Sequence, residues 1–261
     1  MDEKANVKFS IYLDNQSVTA DNINNWFEDM LFFKPTEMRG KYLAKGTVTF
    51  NSKKLFDSIP GILRATSNFN LRVSNDNNSF SFWKHEENSA IICSINSNIF
   101  SEIRDVLLAK ISDFFIRYGG IVAFICSLED DFWQNVTDLD YYKIHCKSIE
   151  GIHLIKREIS QNADIVDTEY NTGHSHFVND LWFGSCWAMW FGEEYFKYIH
   201  KDMFSNFQDC YENQELEDGS IRILLHENVW DYDKPENRER QWSFRRQVGI
   251  DEVAHRLMDV N

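Results

Sequence analysis

The sequence predicts an α+β fold, with a mainly antiparallel sheet and helices packed on one side of it, from three observations. Short alternating segments at residues 69–73, 80–83 and 90–95 follow one another across the turn-rich stretches SNDNNS and HEENS, which is the signature of an antiparallel meander. The order strand, helix, several strands, helix, strand is not the regular alternation that builds a parallel sheet. No glycine-rich dinucleotide or phosphate loop is present.

Taken in order, residues 7–13 (VKFSIYL) alternate apolar and polar side chains and read as a strand with one buried face. Thr19 or Asp21 caps a helix that carries Ile23, Trp26, Phe27 and Met30 at helical spacing and ends near Pro35. Residues 42–50 read as a strand, and residues 55–63 as a short helix that Pro60 and Gly61 interrupt or end. After the meander, residues 100–118 form an amphipathic helix stopped by Gly119-Gly120, and the apolar run at 121–127 suits a central strand.

In the second half, EDDFWQN reads as a loop or short helix whose Phe132 and Trp133 tuck under the body, followed by residues 138–144, an element over 149–159 and a short strand over 163–166. WAMWFGEEYFKYI fits a strand pair or a helix, because its aromatic density obscures the period; strands are favoured up to about 199, with a short helix at 201–207 and strand material at 220–225 and 228–232 after the Asp218-Gly219 turn. Pro235 opens a helix through ENRERQWSFRRQVG, and residues 250–258 make a closing amphipathic helix. The chain reads as one α+β unit over 1–261, with sub-lobes 1–137 and 138–261 as the alternative division.

The 261 residues suffice to bury a core without staples. Forty-one acidic against 27 basic side chains leave a net charge of -14, which argues against nucleic acid, since phosphate binding comes from Lys and Arg. The acidity instead suits solubility or a basic protein partner. The five cysteines are scattered and form no C-x-x-C pair. The start MDEKANVKFS has no apolar signal core, and no run approaches the roughly 18 apolar residues of a membrane span. A reducing cytoplasm is therefore expected, with no membrane partner and no cofactor.

Residues 164–199 hold the densest run of acids and histidines and, directly after it, the densest run of tryptophans. Asp167, Glu169, His174 and His176 form a candidate metal set, because i, i+2 positions on a strand share a face and the intervening turn can fold one pair onto the other. The competing reading is a polar hairpin, since the spacing completes no H-E-x-x-H or EF-hand pattern. Glu129, Asp130 and Asp131 are a candidate acid/base group and, more simply, a contact surface for basic groups, because carboxylates accept bidentate Arg hydrogen bonds. Cys186, among Trp182, Phe183, Trp187 and Trp190, reads as an inert packed thiol. The tryptophans read as core, with a cage or stacking platform as the alternative. Arg238, Arg240, Arg245 and Arg246 form a basic island that pairs with the acidic body.

The strings FWQN at 132–135, VDTEYNTGHSH at 166–176, WAMWFG at 187–192 and QVGIDEVAHRL at 247–257 resemble immunity proteins of bacterial polymorphic toxin systems, over residues 130–261. The resemblance implies a cytoplasmic, non-enzymatic protein that binds one toxin domain and blocks it, and it carries no shared catalytic residues. The expectation is a binding protein for a basic toxin or effector domain, with Glu129, Asp130, Asp131, Trp133, Asp167 and Glu169 in the interface. The rival is a metal-dependent hydrolase that uses Asp167, Glu169, His174 and His176.

Overall fold

The computed structural model describes residues 6–43, 45–157 and 160–259. Residues 1–5 of the N-terminal decapeptide, position 44 of the expected 42–50 strand and positions 158 and 159 of the expected 149–159 element lie outside the described residues.

The first strand, β1 (Asn6–Asp14), sends Val7, Phe9, Ile11 and Leu13 to one face, all fully buried. Thr19 caps α1 (Ala20–Met30) by accepting the Asn22 N–H at 3.1 Å, and the helix buries Ile23, Trp26, Phe27 and Met30. Side chains of this size contribute about 1.5–3 kcal/mol each when fully buried. The expected 42–50 strand shrinks to β3 (Thr47–Thr49), which pairs with β2 (Glu37–Arg39), a strand too short to be legible in sequence. The buried Leu43 that made the stretch look strand-like reaches the core from a turn after Gly40.

Helix α2 (Ser52–Ala65) runs through Pro60 without a break. Its buried Leu55, Ile59 and Ile62 anchor it on both sides of the proline, and that packing outweighs a local cost of about 3 kcal/mol. The meander follows as β4 (Phe69–Ser74), β5 (Ser79–Lys84) and β6 (Asn88–Asn96). Asn96 caps α3 (Ser97–Tyr118) through the N–H groups of Asn98 and Ile99, both at 3.1 Å, and Gly119 ends it in the left-handed region at φ 68°. Every residue of β7 (Gly120–Ser127) is buried.

The second half contains α4 (Leu128–Asn135), α5 (Leu139–Ile144), β8 (Leu154–Arg157), β9 (Ser160–Val166), β10 (Ser175–Val178), β11 (Leu181–Gly184), β12 (Ala188–Phe191), α6 (Lys201–Ser205), β13 (Glu212–Glu215), β14 (Ile221–Leu224), α7 (Pro235–Val248) and α8 (Ile250–Met258). Two expected strands are absent here. After Phe191 the chain leaves the sheet at Gly192 and winds into a 3-10 turn at Tyr195–Lys197. Residues 228–232 form another such turn at Val229–Asp231, because the Asn228 side chain accepts the Trp230 N–H at 3.3 Å.

Among the described residues, ten strands form one antiparallel sheet in the order β13, β14, β12, β7, β1, β6, β5, β4, β2, β3. The meander strands and the C-terminal strands meet at β1 and β7, where Ile11 lies opposite Ala123 on one side and Ile91 on the other. The hairpins β8–β9 and β10–β11 stand apart from this sheet.

The pleat divides the core in two. One face carries Phe9, Ile11, Ala123, Ile125 and Trp190 and is covered by α1, α2 and α3. The opposite face carries Phe124, Met189, Phe191, Ile221 and Ile223 and is covered by α6, α7, α8 and the β10–β11 hairpin. Helices therefore lie on both faces, the second layer being confined to the C-terminal strands, whose outward side chains are also apolar and need cover. No described helix is long and apolar enough to cross a membrane.

His226, 2% exposed, ties the turn after β14 together: its Nδ1 lies 2.8 Å from the Asn228 carbonyl and its own carbonyl accepts the Trp187 indole N–H at 2.7 Å. Burial lowers its pKa from 6.5 to about 4. As pH falls below about 6.5 the unfolded chain takes up a proton that the folded chain refuses until about pH 4, so stability is lost across that window. Urea unfolding of wild type and His226→Gln at pH 7.5 and pH 4.5 should show the wild type losing about 2 kcal/mol more than the variant. Equal losses would refute the assignment.

Candidate functional site

The strongest cluster of chemical groups outside the core is built by three segments. The first is the 3-10 turn Thr168–Tyr170, which the Asp167 carboxylate caps by accepting the Glu169 N–H at 3.2 Å. Asp167 is thus turned to its own backbone, while Glu169 projects from the turn. Gln134 and Asn135 of α4 hold the next residues in place: Gln134 Oε1 accepts the Gly173 N–H at 2.8 Å, and Asn135 Oδ1 accepts the Ser175 N–H at 2.8 Å.

His174 directly precedes β10 and His176 lies within it, two residues apart, so the pleat points both at the same side. The β10–β11 hairpin turns on Asn179 and Asp180, both left-handed at φ 55° and 56°, as a two-residue hairpin loop requires. The other two segments come from far along the chain. Helix α8, which packs on this hairpin, supplies Asp251 and His255, and α7 supplies Arg245.

His174 is 2% exposed, and its Nδ1 sits 2.6 Å from the Asn171 carbonyl. That carbonyl can only accept, so Nδ1 carries a hydrogen and Nε2 faces the cluster. This Nε2 is 3.2 Å from Asp251 Oδ1, 3.4 Å from Glu169 Oε2 and 2.5 Å from Arg245 Nη2. His176 Nε2 is enclosed and makes no hydrogen bond; the nearest carboxylate oxygens are Asp251 Oδ1 at 3.5 Å and Glu169 Oε1 at 3.7 Å. His255 Nε2 lies 3.3 Å from Glu169 Oε2.

Arg245 is fully buried and donates to the His174 carbonyl at 2.7 Å, to Ser185 Oγ at 3.3 Å and to both oxygens of Asp251. Burial lowers its pKa, with Asp251 opposing the shift. For Asp251, burial alone would raise the pKa, but His174, His176 and Arg245 outweigh it and hold the carboxyl well below the usual carboxylate range.

Three of the four residues in the candidate metal set therefore come together, since one donor atom each from Glu169, His174 and His176 lies within 4.8 Å of the others. Asp167 is the one left out. Asp251, His255 and Arg245 complete the cluster. Arg245 belongs to the basic island expected to pair with carboxylates, but no local pattern places it, Asp251 or His255 at this site, because they lie roughly 70–90 positions downstream of the Glu169–His176 turn.

The acidic run at 129–131 is the first turn of α4, the short helix of the two alternatives. The expectation of a three-carboxylate surface is corrected for Asp130, which is 6% exposed and held by Arg238 through Oδ1 at 2.5 Å and Oδ2 at 3.2 Å. Burial raises its pKa against the pull of that guanidinium. Asp131 pairs with Lys8 at 2.8 Å, and only Glu129 is exposed, 3.2 Å from Lys147. Trp133 is half-buried, packed edge-on against Phe132 and Tyr142, with the Lys147 ammonium 5.1 Å over its ring. The basic island does pair with the acidic body, as Arg238 and Arg245 show.

Trp182, Trp187 and Trp190 are core residues, each at most 2% exposed. Cys186 lies among them, and burial pushes its thiol far above the ordinary range, so it is inert.

A second surface was not legible in the sequence. Tyr12, Trp83 and Phe177 form the aromatic wall of a groove rimmed by Glu86, Glu87 and Asp180. Trp83 stacks on His85 with 5.9 Å between centroids, and Phe177, 60% exposed, leans on Tyr12 at 6.5 Å. The hairpin tip is fastened to the meander, with the Glu87 N–H donating to Asp180 Oδ2 at 3.3 Å and Asn88 Nδ2 donating to the Asn179 carbonyl at 2.8 Å. Among the described residues none of the three rim carboxylates is ion-paired to a basic side chain.

No protein-family model matches the chain, and no curated protein matches it. Among solved structures, the toxic C-terminal tip of CdiA from Pseudomonas aeruginosa in complex with immune protein aligns over 47% of this chain and 87% of that one, with 13% identity and a TM-score of 0.30, too low to carry an argument. The Pseudomonas aeruginosa T6SS protein PA0821 aligns over 95% of this chain and 74% of that chain with a TM-score of 0.56. At 9% identity this is a likeness of fold alone.

Proposed function

We propose that this chain is an immunity-type inhibitor that works in the cytoplasm, neutralising a cognate toxin or effector domain by binding it directly and turning over no substrate. The observation that carries the reading is the groove, in which exposed aromatic anchors stand beside three carboxylates that, among the described residues, no basic side chain neutralises. Aromatic anchors supply most of an interface's energy, and complementary charge supplies orientation and on-rate. A basic loop of the partner, an Arg or Lys flanked by apolar residues, fits both. The net charge of -14 and the fold shared with a T6SS protein support the same reading.

The test is binding kinetics with the toxin domain encoded beside this chain's gene. The Trp83→Ala/Phe177→Ala double variant should weaken affinity at least about 30-fold, mainly through faster dissociation. Neutralising Glu86, Glu87 and Asp180 should slow association about tenfold at low salt and much less at high salt. A tight complex indifferent to both sets, or no complex at all, would overturn the proposal. The histidine cluster favours a second reading, a metal-dependent hydrolase. Zinc-dependent ester hydrolysis lost in His176→Ala would decide for it.

A further inference from the structure

We propose that Glu169, His174 and His176 bind a divalent transition-metal ion, zinc being the best chemical fit, at the junction of the 168–176 turn and α8. The inference is independent of partner binding. Two imidazoles and one carboxylate are the donor set that zinc accepts in three-ligand sites. Donor atoms about 2.0–2.1 Å from a tetrahedral ion stand about 3.3–3.4 Å apart. One donor atom from each of the three residues lies within 4.8 Å of the other two, so modest side-chain adjustment brings them to that spacing; the nearest pairs are His174 Nε2 with Glu169 Oε2 at 3.4 Å and His176 Nε2 with Glu169 Oε1 at 3.7 Å.

Two further observations point to a ligand. His176 is 9% exposed, and its Nε2 is sealed from solvent, aimed into the cluster, and makes no hydrogen bond. Leaving such an atom unmet costs about 1–3 kcal/mol, and a metal ion would satisfy it. His174 has the outer arrangement of a ligating histidine, its Nδ1 held by the Asn171 carbonyl at 2.6 Å with Nε2 turned inward.

Arg245 is the competing group, since its Nη2 lies 2.5 Å from His174 Nε2. Metal binding at Nε2 would replace that contact, leaving the guanidinium its bonds to Asp251 and to the His174 carbonyl. Asp251 Oδ1, 3.2 Å and 3.5 Å from the two imidazole Nε2 atoms, balances the added charge. His255 Nε2 lies 3.3 Å from Glu169 Oε2, at the edge of the cluster.

The experiment is titration of chelator-treated full-length protein with zinc against a chromophoric chelator, together with the visible spectrum of the cobalt(II) form. One equivalent is expected to bind with a dissociation constant of about 1 μM or tighter, and the cobalt form should show the absorption of a four-coordinate nitrogen and oxygen site. His176→Ala and Glu169→Gln should each weaken binding at least about tenfold, while His200→Ala, on an exposed residue outside the cluster, should leave it unchanged. Glu169 is a half-exposed turn residue, so Glu169→Gln keeps the test valid even where His176→Ala unfolds the protein. Failure of the wild type to bind zinc below about 100 μM, or equal affinity in Glu169→Gln, would overturn the proposal.

Discussion

Replacing Arg245 with methionine should destabilise the metal-free protein by about 3 kcal/mol, the low end of what breaking a buried ion pair costs. The guanidinium is fully enclosed, and its removal strips donors from the His174 carbonyl, from Ser185 Oγ and from Asp251. Asp251 is about one-quarter exposed and recovers some hydration, which is why the upper end of the range is not expected. For a chain of this size the change corresponds to a fall in Tm of about 6–12 °C. The neighbouring Arg246 is exposed and paired with Glu239 on the surface, so Arg246→Met should change stability by less than about 0.5 kcal/mol. Urea unfolding in chelator reads both, and similar midpoints for the two variants would show that burial does not set the cost.

The Gly192→Ala variant should lose at least about 3 kcal/mol or fail to accumulate as folded protein. A β-carbon there would fall on the Gly120 carbonyl oxygen, a backbone atom that cannot swing aside. The Gly192 N–H donates to the Ile121 carbonyl at 2.9 Å, so the contact marks where β12 parts from β7 in the middle of the sheet. Gly120 has its own obstacle, since a β-carbon on it would stand 2.6 Å from the Phe115 ring. Forcing extra volume into such a site costs about 1–3 kcal/mol in a core that relaxes, and more where only the backbone of two central strands can move. The contrast is Gly61 in α2, which has open space around it. Gly61→Ala should stabilise by about 0.5–1 kcal/mol. Were both alanines equally tolerated in denaturant unfolding, the close approach at Gly192 would be disproved.

The elements that could be read in advance are those whose side chains report their own burial. The alternation of β1, the spacing Ile23, Trp26, Phe27, Met30 and the apolar run of β7 each encode a face that the core then covers. The failures occur where tertiary contact overrides the local pattern. Leu43 is apolar yet enters the core from a turn, Pro60 is carried inside a helix by its buried neighbours, and β13, with the sequence ENQE, is a strand only because β14 pairs with it.

The candidate site divides the same way. His174 and His176 at strand spacing, with Glu169 just before them, were legible as a group, and they do converge. Asp167 was misplaced because its carboxylate caps a turn, a local hydrogen bond that competes with any outward role. Asp251, His255 and Arg245 join only through the docking of α7 and α8; the basic island announced Arg245 as a partner for carboxylates, but nothing in the segments of Asp251 and His255 signals their place. The groove was invisible for the same reason, since Trp83, Phe177 and Asp180 come from two hairpins that meet only in the folded chain.

The ten-stranded sheet ends in two strands unsuited to growth. At one edge β3 is three residues long, and at the other β13 presents Glu212 and Glu215 around two amides, with Glu212 engaged by Arg222. Short and charged edge strands resist pairing with a stray strand from another chain. Extension of this sheet through main-chain hydrogen bonds is therefore disfavoured, and a partner of the kind proposed would engage it through side chains, the form of contact most easily retuned by single substitutions.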